Sequence, residues 1–460
     1  MTAPRTQNAL TLIGKFFIIV YQRKAQRGID MRTVAFHTLG CKVNQYDSEA
    51  MLEQFLQNGW QQVAFTEKAD VYVVNTCTVT GTGDKKSMQA VRRAQRLNPD
   101  AEIVIAGCLA QRDGEKLLET GARLVIGAGR RKDVFALLQE AVSENKQICA
   151  VEKDILRIPF ERLDVSRFAE HTRAVMKIQE GCDRYCTYCI IPYVRGGIRS
   201  RPLEDIRAEA QRFAAAGYRE LVLTGIHLTS YGRDLQGTDL GDAVEACRCE
   251  GIERIRLGSL EPVVVTEAFA KRMAAVPELC PQFHLALQSG SDSVLSRMRR
   301  RYTTEEFARS AALLRAYLPG CAITTDVIAG FPGETEQEHA QTLKFVREIG
   351  FSRMHVFPYS QRAGTAAAKM PNQVPRALRE ARARELIAVG YELAKAYHES
   401  MLSTEREMLV EEISDGCAGG YTREYVSCHV ENAGALSVGS RVFVRVTGAD
   451  ADGVTGVMAD

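Results

Sequence analysis

The chain lacks what a membrane or secreted protein would show. No apolar run approaches the ~20 residues that a spanning helix needs, and the best candidate, Leu10–Tyr21, is short and carries Lys15 in its middle. No small-residue cleavage pattern follows it, so no signal peptide is expected. Net charge is also nearly absent: 59 basic against 57 acidic residues leave a formal +2 over 460 residues. That excludes a uniformly basic coat but not a local basic patch for nucleic acid. Histidine is scarce at 8, which weighs against histidine-rich metal sites, whereas cysteine is plentiful at 13. Without a secretory signal, those cysteines read as metal ligands and buried thiols rather than disulfides, and a cytoplasmic location is expected.

The stretch that organises the chain is Gly181–Gly197, GCDRYCTYCIIPYVRGG, with Cys182, Cys186 and Cys189 spaced Cys-x3-Cys-x2-Cys. A [4Fe–4S] cluster has four irons and is held by cysteine thiolates, so three ligands leave one iron open. A zinc knuckle or reduced thiols is the other reading. Zinc sites usually pair two cysteine hooks or add histidines, and neither lies nearby. The spacing resembles that of the radical S-adenosylmethionine (radical SAM) enzymes. The resemblance implies that SAM chelates the open iron and is cleaved there to a 5′-deoxyadenosyl radical, with Cys182, Cys186 and Cys189 as the catalytic set.

Residues 1–30 read as an amino-terminal extension, with Met31 opening the first patterned strand. Over 31–150, three strand-like runs each end at a cysteine: Thr33–Leu39 before Gly40-Cys41, Val71–Val74 before Asn75-Thr76-Cys77, and Ile103–Ala106 before Gly107-Cys108. Helical patterns lie between them, such as Ser48–Leu56 with Asp47 as its cap. Alternating strands and helices predict a parallel sheet, whose sites form beyond the strands' carboxyl ends. The three cysteines therefore converge on one edge, unless they are unrelated buried thiols. Thr38 to Glu49 (TLGCKVNQYDSE), Asn75-Thr76-Cys77 and Gly107-Cys108-Leu109-Ala110 resemble the amino-terminal domain of the radical SAM methylthiotransferases. By that resemblance Cys41, Cys77 and Cys108 hold a second [4Fe–4S] cluster, whose open iron carries the sulfur for transfer. Lys85, Lys86, Arg92, Arg93 and Arg96 on the following helix form either a solvated face or a contact for RNA phosphates.

A linker (151–171) leads to six strand–helix units over 172–401, which predict a partial (β/α)6 barrel with its chemistry at the strands' carboxyl ends. The expected strands are Ala174–Ile178, Glu220–Thr224, Arg254–Leu257, His284–Leu287, Ile323–Ile328 and Arg353–Phe357. The same family resemblance implies a SAM pocket: Tyr188 against the adenine, Thr224 and Gly225 at the amino group, Ser259 and Glu261 at the ribose or aminoacyl part. The stretches His284–Ser291, Asp326–Thr335, Phe357–Ser360 and Arg362–Thr365 are also close to the family pattern. Arg195, Arg199, Arg201 and Arg299–Tyr302 are candidates for steering an anionic substrate, or for salt bridges within the barrel. The other seven cysteines, Cys247-x-Cys249 included, fit no cluster pattern.

Residues 403–460 show strand-like runs at Glu407–Glu412, Tyr425–Val430 and Arg441–Val446 with glycines between them, the pattern of a small β-barrel. The domain resembles TRAM domains, and Tyr421, Arg423 and Tyr425 are candidates for RNA contact, or else for barrel packing or plain surface positions.

The predicted fold class is thus α/β multidomain, with a parallel-sheet domain, a partial barrel and a TRAM-like barrel. The family resemblance implies a tRNA methylthiotransferase. One SAM methylates sulfur held at the first cluster, and a second SAM supplies the radical that opens the C–H bond. It further implies two [4Fe–4S] clusters, SAM, tRNA, a flavodoxin- or ferredoxin-like electron donor and a sulfur donor, with no membrane. Leu39 to Tyr46 (LGCKVNQY) looks most like the subgroup acting on N6-threonylcarbamoyladenosine. The alternatives are isopentenyladenosine in tRNA, a ribosomal-protein aspartate, or a non-catalytic iron–sulfur RNA-binding protein.

Overall fold

In the computed structural model, the described residues are 32–459 apart from 167, 169–171, 432–433 and 435. The expected extension 1–30, Met31 and part of the 151–171 linker lie outside them. β1 (Thr33–Thr38), β3 (Val71–Thr76) and β4 (Glu102–Gly107) are rich in β-branched and small apolar residues, the composition of strands covered on both faces. With β2 (Gln61–Gln62), β5 (Leu124–Ile126) and β6 (Ile148–Ala150) they form a parallel sheet in the order β2-β1-β3-β4-β5-β6. Helices Lys42–Gln57 and Val134–Ser143 cover one face through Met51, Phe55 and Leu138. Helix Gly81–Leu97 covers the other through Val91 and Ala94. The helix after β1 starts at Lys42, not Ser48, with Cys41 at its cap position. Asp47 is therefore not a cap but a buried residue inside the helix.

The second unit begins with β7 (Arg173–Glu180), flanked by the short antiparallel β8 (Arg199–Ser200) and followed by β9 (Glu220–Gly225) and β10 (Arg254–Leu257). After a break at Gly258 come β11 (Ser259–Leu260), β12 (Gln282–Leu285), β13 (Ala322–Ala329) and β14 (Arg353–Pro358). The sheets β10-β9-β7-β8 and β11-β12-β13-β14 make the six-unit partial barrel that the repeating pattern predicts. Each expected strand is present to within a few residues; the fourth lies slightly earlier, at Gln282–Leu285. The chain ends in a closed five-stranded barrel, β15 (Glu405–Ser414), β16 (Cys417–Thr422), β17 (Ser427–Val430), β18 (Arg441–Ala449) and β19 (Val454–Met458). Two of these strands are not read from sequence: β16, CAGGYT, is rich in glycine and small residues, and β19 is only five residues long.

A buried charge cluster joins the first two units. Asp47 faces Arg131, Lys177 and Arg195, the last at 3.0 Å. Glu180 meets the same three cations at 3.4, 3.3 and 3.2 Å, and Glu161 adds a third carboxylate on Arg131 at 2.8 Å. Burial opposes ionisation of Asp47 and Glu180, yet the surrounding cations outweigh it and hold both carboxyls below their usual range. Arg195, Arg199 and Arg201 are all buried, so the expectation that they steer a substrate is corrected; Arg201 pairs with Glu209. A second clamp lies beside Cys77, where Arg362 bonds Thr78 and Asp84 at 2.7 and 2.8 Å. The Arg362–Thr365 stretch is thus explained by domain docking.

The terminal barrel closes on the start of β9 and β10. Arg254 donates to the Tyr421 carbonyl at 3.3 Å and Arg256 to that of Arg423 at 2.9 Å. Arg423 in turn donates to the carbonyls of Pro277 and Leu279. The Tyr425 ring sits among Arg256, Arg173 and Lys42 at 4.7, 5.0 and 5.9 Å. Arg423 and Tyr425 therefore serve an interdomain contact, the packing alternative of the two readings. Removing one member of a buried ion network leaves unpaired charge, at a cost of about 3–5 kcal/mol. Asp47→Ala is expected to lower the denaturant midpoint of the first two units accordingly; an unchanged midpoint would mean that the network does not hold them together.

Candidate functional site

The first three cysteines follow β1, β3 and β4, which are neighbours in the sheet. Tight turns bring the thiols together. Gly40 has φ +102°, and a Cβ there would lie 2.9 Å from the Cβ of Cys77. Gly107 has φ +92°, and a Cβ would lie 2.4 Å from Asn75 Oδ1. Both positions require glycine. Two buried asparagines tie the loops: Asn44 donates to the Leu39 and Thr76 carbonyls at 2.7 and 3.0 Å, and Asn75 donates to the Asn44 carbonyl at 2.8 Å. Burial pushes the Cys77 thiol up to about 11, so its ligation releases a proton.

The second set lies on the loop after β7. Cys182 and Cys186 are buried and Cys189 is half-buried. The loop is closed by Cys182 N–H to the Gly196 carbonyl at 2.9 Å and held by Thr187 N–H to the Met298 carbonyl at 3.1 Å. Burial pushes Cys182 up to about 11 and Cys189 up to about 12. All 13 cysteines are free. Among the described residues no group of three His, Cys, Asp or Glu is set to hold a single metal ion. A [4Fe–4S] cluster asks for something different, since each thiolate binds a separate iron at a corner of a cube. Two sets of three thiols, each gathered at the ends of neighbouring strands or on one loop, fit that demand.

The two sets meet. Cys108 opens the helix Cys108–Asp113 and packs with Ile190 and Val194, just past Cys189. Arg195 Nε donates to Cys108 Sγ at 3.1 Å, and on the other side Arg300 Nη1 donates to Cys186 Sγ at 3.3 Å.

Of the expected SAM-pocket residues, Thr224 and Gly225 end β9, and a Cβ on Gly225 would lie 2.8 Å from Gln179 Cβ. Gln179 also donates to the Gly181 carbonyl at 2.8 Å, which ties this strand end to the cysteine loop. Tyr188 stands edge-on to Phe331 with centroids 6.5 Å apart. Ser259 is exposed at the start of β11. Glu261 is the centre of a polar group missed in the sequence: Arg300, Arg184 and His227 lie at 2.9, 3.0 and 3.2 Å from its carboxylate. Burial opposes its ionisation, but the His227 hydrogen bond and the two guanidinium charges hold it down to about 2. Arg300 was thus legible only as one of a run of arginines. The barrel's inner face adds His284, which touches Thr324 at 3.0 Å and Asp326 at 3.3 Å.

Below these sites a cavity of about 480 Å³ is lined by all three units, among them Lys42, Gln45, Arg173, Tyr421 and Tyr425. Lys42 does not pair with Asp47; its ammonium group faces the Tyr425 ring.

Comparison with known proteins agrees with this geometry. Residues 33–127 match the model of an uncharacterized protein family, UPF0004, and residues 176–346 match the Radical SAM superfamily. A threonylcarbamoyladenosine tRNA methylthiotransferase of Bacillus subtilis is 43% identical over 86% of this chain and 90% of its own length. One from Thermotoga maritima is 35% identical over 94% and 98%. A tRNA-2-methylthio-N(6)-dimethylallyladenosine synthase of Natranaerobius thermophilus is 33% identical over 89% and 93%. Among solved structures, the radical SAM methyltransferase TsrM of Kitasatospora setae shares the fold. It has a TM-score of 0.53 at 14% identity and covers 85% of this chain and 80% of TsrM. No helix among the described residues is long and apolar enough to cross a membrane. Two family models in this order, and full-length relatives well above 30% identity, place the chain in the radical SAM methylthiotransferase family, whose cofactors are SAM and [4Fe–4S] clusters.

Proposed function

We propose that the chain is a cytoplasmic tRNA methylthiotransferase that places a methylthio group at C2 of N6-threonylcarbamoyladenosine next to the anticodon. The observation that carries the reading is the meeting of two three-cysteine sets across one buried contact, Cys108 against the helix that follows Cys189. Cys41, Cys77 and Cys108 hold one [4Fe–4S] cluster, and Cys182, Cys186 and Cys189 the other. When bound, the clusters and SAM supply the sulfur, the methyl group and the radical. The protein's own part is to position and to exclude water. Glu261 and Arg300 stand at the polar end of SAM, Tyr188 walls its adenine side, and the turn at Thr224-Gly225 admits close backbone approach. Ser259 lies at the rim. An electron donor of flavodoxin or ferredoxin type and a sulfur donor complete the reaction.

On the first unit Lys85, Lys86, Arg92, Arg93 and Arg96 are exposed, and no carboxylate pairs with them among the described residues. Unpaired cations on one helix suit RNA phosphates, whose binding falls as salt rises. The dimethylallyl reading has support in relatives at 33–34% identity. The threonylcarbamoyl reading is favoured by the 43% relative and by Lys42. Lys42 has no carboxylate partner among the described residues and stands in a cavity next to Cys41, where a substrate carboxylate would find it.

Three outcomes follow from these assignments. Changing Cys41, Cys77 and Cys108 together to alanine is expected to leave about four irons per chain and SAM cleavage, but no sulfur insertion. Changing Cys182, Cys186 and Cys189 is expected to leave one cluster and no 5′-deoxyadenosine. Iron analysis that finds both clusters in either protein would refute the ligand sets.

Replacing Arg92 and Arg93 by glutamate is expected to weaken tRNA binding at least tenfold and flatten its salt dependence, as read by filter binding across a salt series. Unchanged affinity would place the RNA elsewhere.

Lastly, the reconstituted enzyme is expected to modify tRNA carrying threonylcarbamoyladenosine and to ignore tRNA carrying isopentenyladenosine. Lys42→Met is expected to raise the KM for tRNA several-fold while SAM cleavage without tRNA is unchanged. The opposite substrate preference, seen by nucleoside mass spectrometry, would overturn the subgroup.

A further inference from the structure

Arg195 spends its donors in an unusual way. The side chain is 0% exposed. Its Nη1 meets Asp47 and Glu180 at 3.0 and 3.2 Å, and its Nη2 donates to Asn44 Oδ1. Those contacts already neutralise and fix the guanidinium. The remaining donor, Nε, is aimed at a sulfur, Cys108 Sγ, at 3.1 Å. Charge balance does not require that last contact. Arg195 also belongs to the other cysteine set by sequence, since it ends the helix Ile191–Arg195 that begins two residues after Cys189.

We propose that Arg195 is a positioning residue through which the loop of the second cluster tunes the first, by donating a hydrogen bond from Nε to the Cys108 thiolate. The inference rests on the reading that Cys41, Cys77 and Cys108 hold a cluster. A hydrogen bond to a ligating sulfur withdraws electron density from it and favours the reduced cluster, so it raises the reduction potential. The bond is kept dry by Ile190 and Val194, which pack around Cys108. Arg300 does the corresponding thing at the other set, where it reaches Cys186 at 3.3 Å. Each cluster then has one guanidinium on one of its cysteines, but only Arg195 crosses between the units.

The test uses the full-length protein with Cys182, Cys186 and Cys189 changed to alanine, so that only the first cluster is present. Iron content near four per chain establishes the cluster itself; its absence would remove the underlying reading and is scored separately. Arg195→Lys keeps a cation for Asp47 and Glu180 but loses the planar fork that also reaches sulfur. An EPR-monitored redox titration is expected to show a lower midpoint potential in Arg195→Lys, while Arg300→Lys leaves it where it was. An unmoved midpoint in an iron-loaded Arg195→Lys protein overturns the proposal. If that variant does not fold or load, the parent protein decides: with arginine 15N-labelled, pulsed EPR of the reduced cluster is expected to show coupling to an arginine nitrogen, and its absence overturns the proposal.

Discussion

Asp47 and Glu180 share three cations in a space closed to water, and the relation between the two cysteine sets depends on that sharing. Asp47 sits on the helix that begins directly after Cys41, Glu180 lies two residues before Cys182, and Arg195 follows Cys189. Asp47, Glu180 and Arg195 are therefore each a short covalent path from a cluster thiol. Charges in a low-dielectric interior interact strongly, and their geometry tolerates little error. A rotation between the two units would strand a carboxylate or a guanidinium without a partner. The network thus acts as a gauge of distance between the sites, which apolar packing alone, being non-directional, would set less sharply.

The terminal barrel has a comparable place at the other end of the partial barrel. Arg254 and Arg256 reach its backbone carbonyls, and Tyr425 stands among cations contributed by the other two units. Tyr425 has φ +65°, a conformation uncommon outside glycine. Burial raises its phenol pKa, but Arg173 and Lys42 outweigh that and lower it. The tyrosine is therefore part of the wall of the central cavity. A domain that looks from its sequence like a separate RNA-binding attachment is in fact one side of the chamber.

What was legible in the sequence was whatever obeys a local rule. Strand ends carrying Gly40-Cys41, Thr76-Cys77 and Gly107-Cys108 are adjacent because parallel α/β sheets place consecutive elements side by side. The Cys182–Cys189 spacing needs no tertiary information at all. Charges gave the opposite experience. Arg195 contacts Asp47 across 148 positions and Asn44 across 151, and nothing in its neighbourhood distinguishes it from the exposed Arg299. Asp47 was misread as a helix cap because a helix beginning at Lys42 has no strong start signal; the cap position is Cys41, whose side chain makes no capping bond. Strand β16 was invisible because CAGGYT has neither alternation nor β-branched bulk, and its pairing with β15 and β17 is decided by the closed barrel.

The charge network also bears on the order in which the chain can mature. Asp47 and Arg131 both lie in the first unit and pair with each other, so that half is neutral by itself. Lys177, Glu180 and Arg195 together carry one excess positive charge, and Glu161 in the intervening linker supplies the matching negative one. As the polypeptide leaves the ribosome, the barrel thus finds its electrostatic counterpart in what has already been made. The first unit need not wait with a bare buried charge for the barrel, and the barrel's excess positive charge meets the one carboxylate that the linker has already supplied.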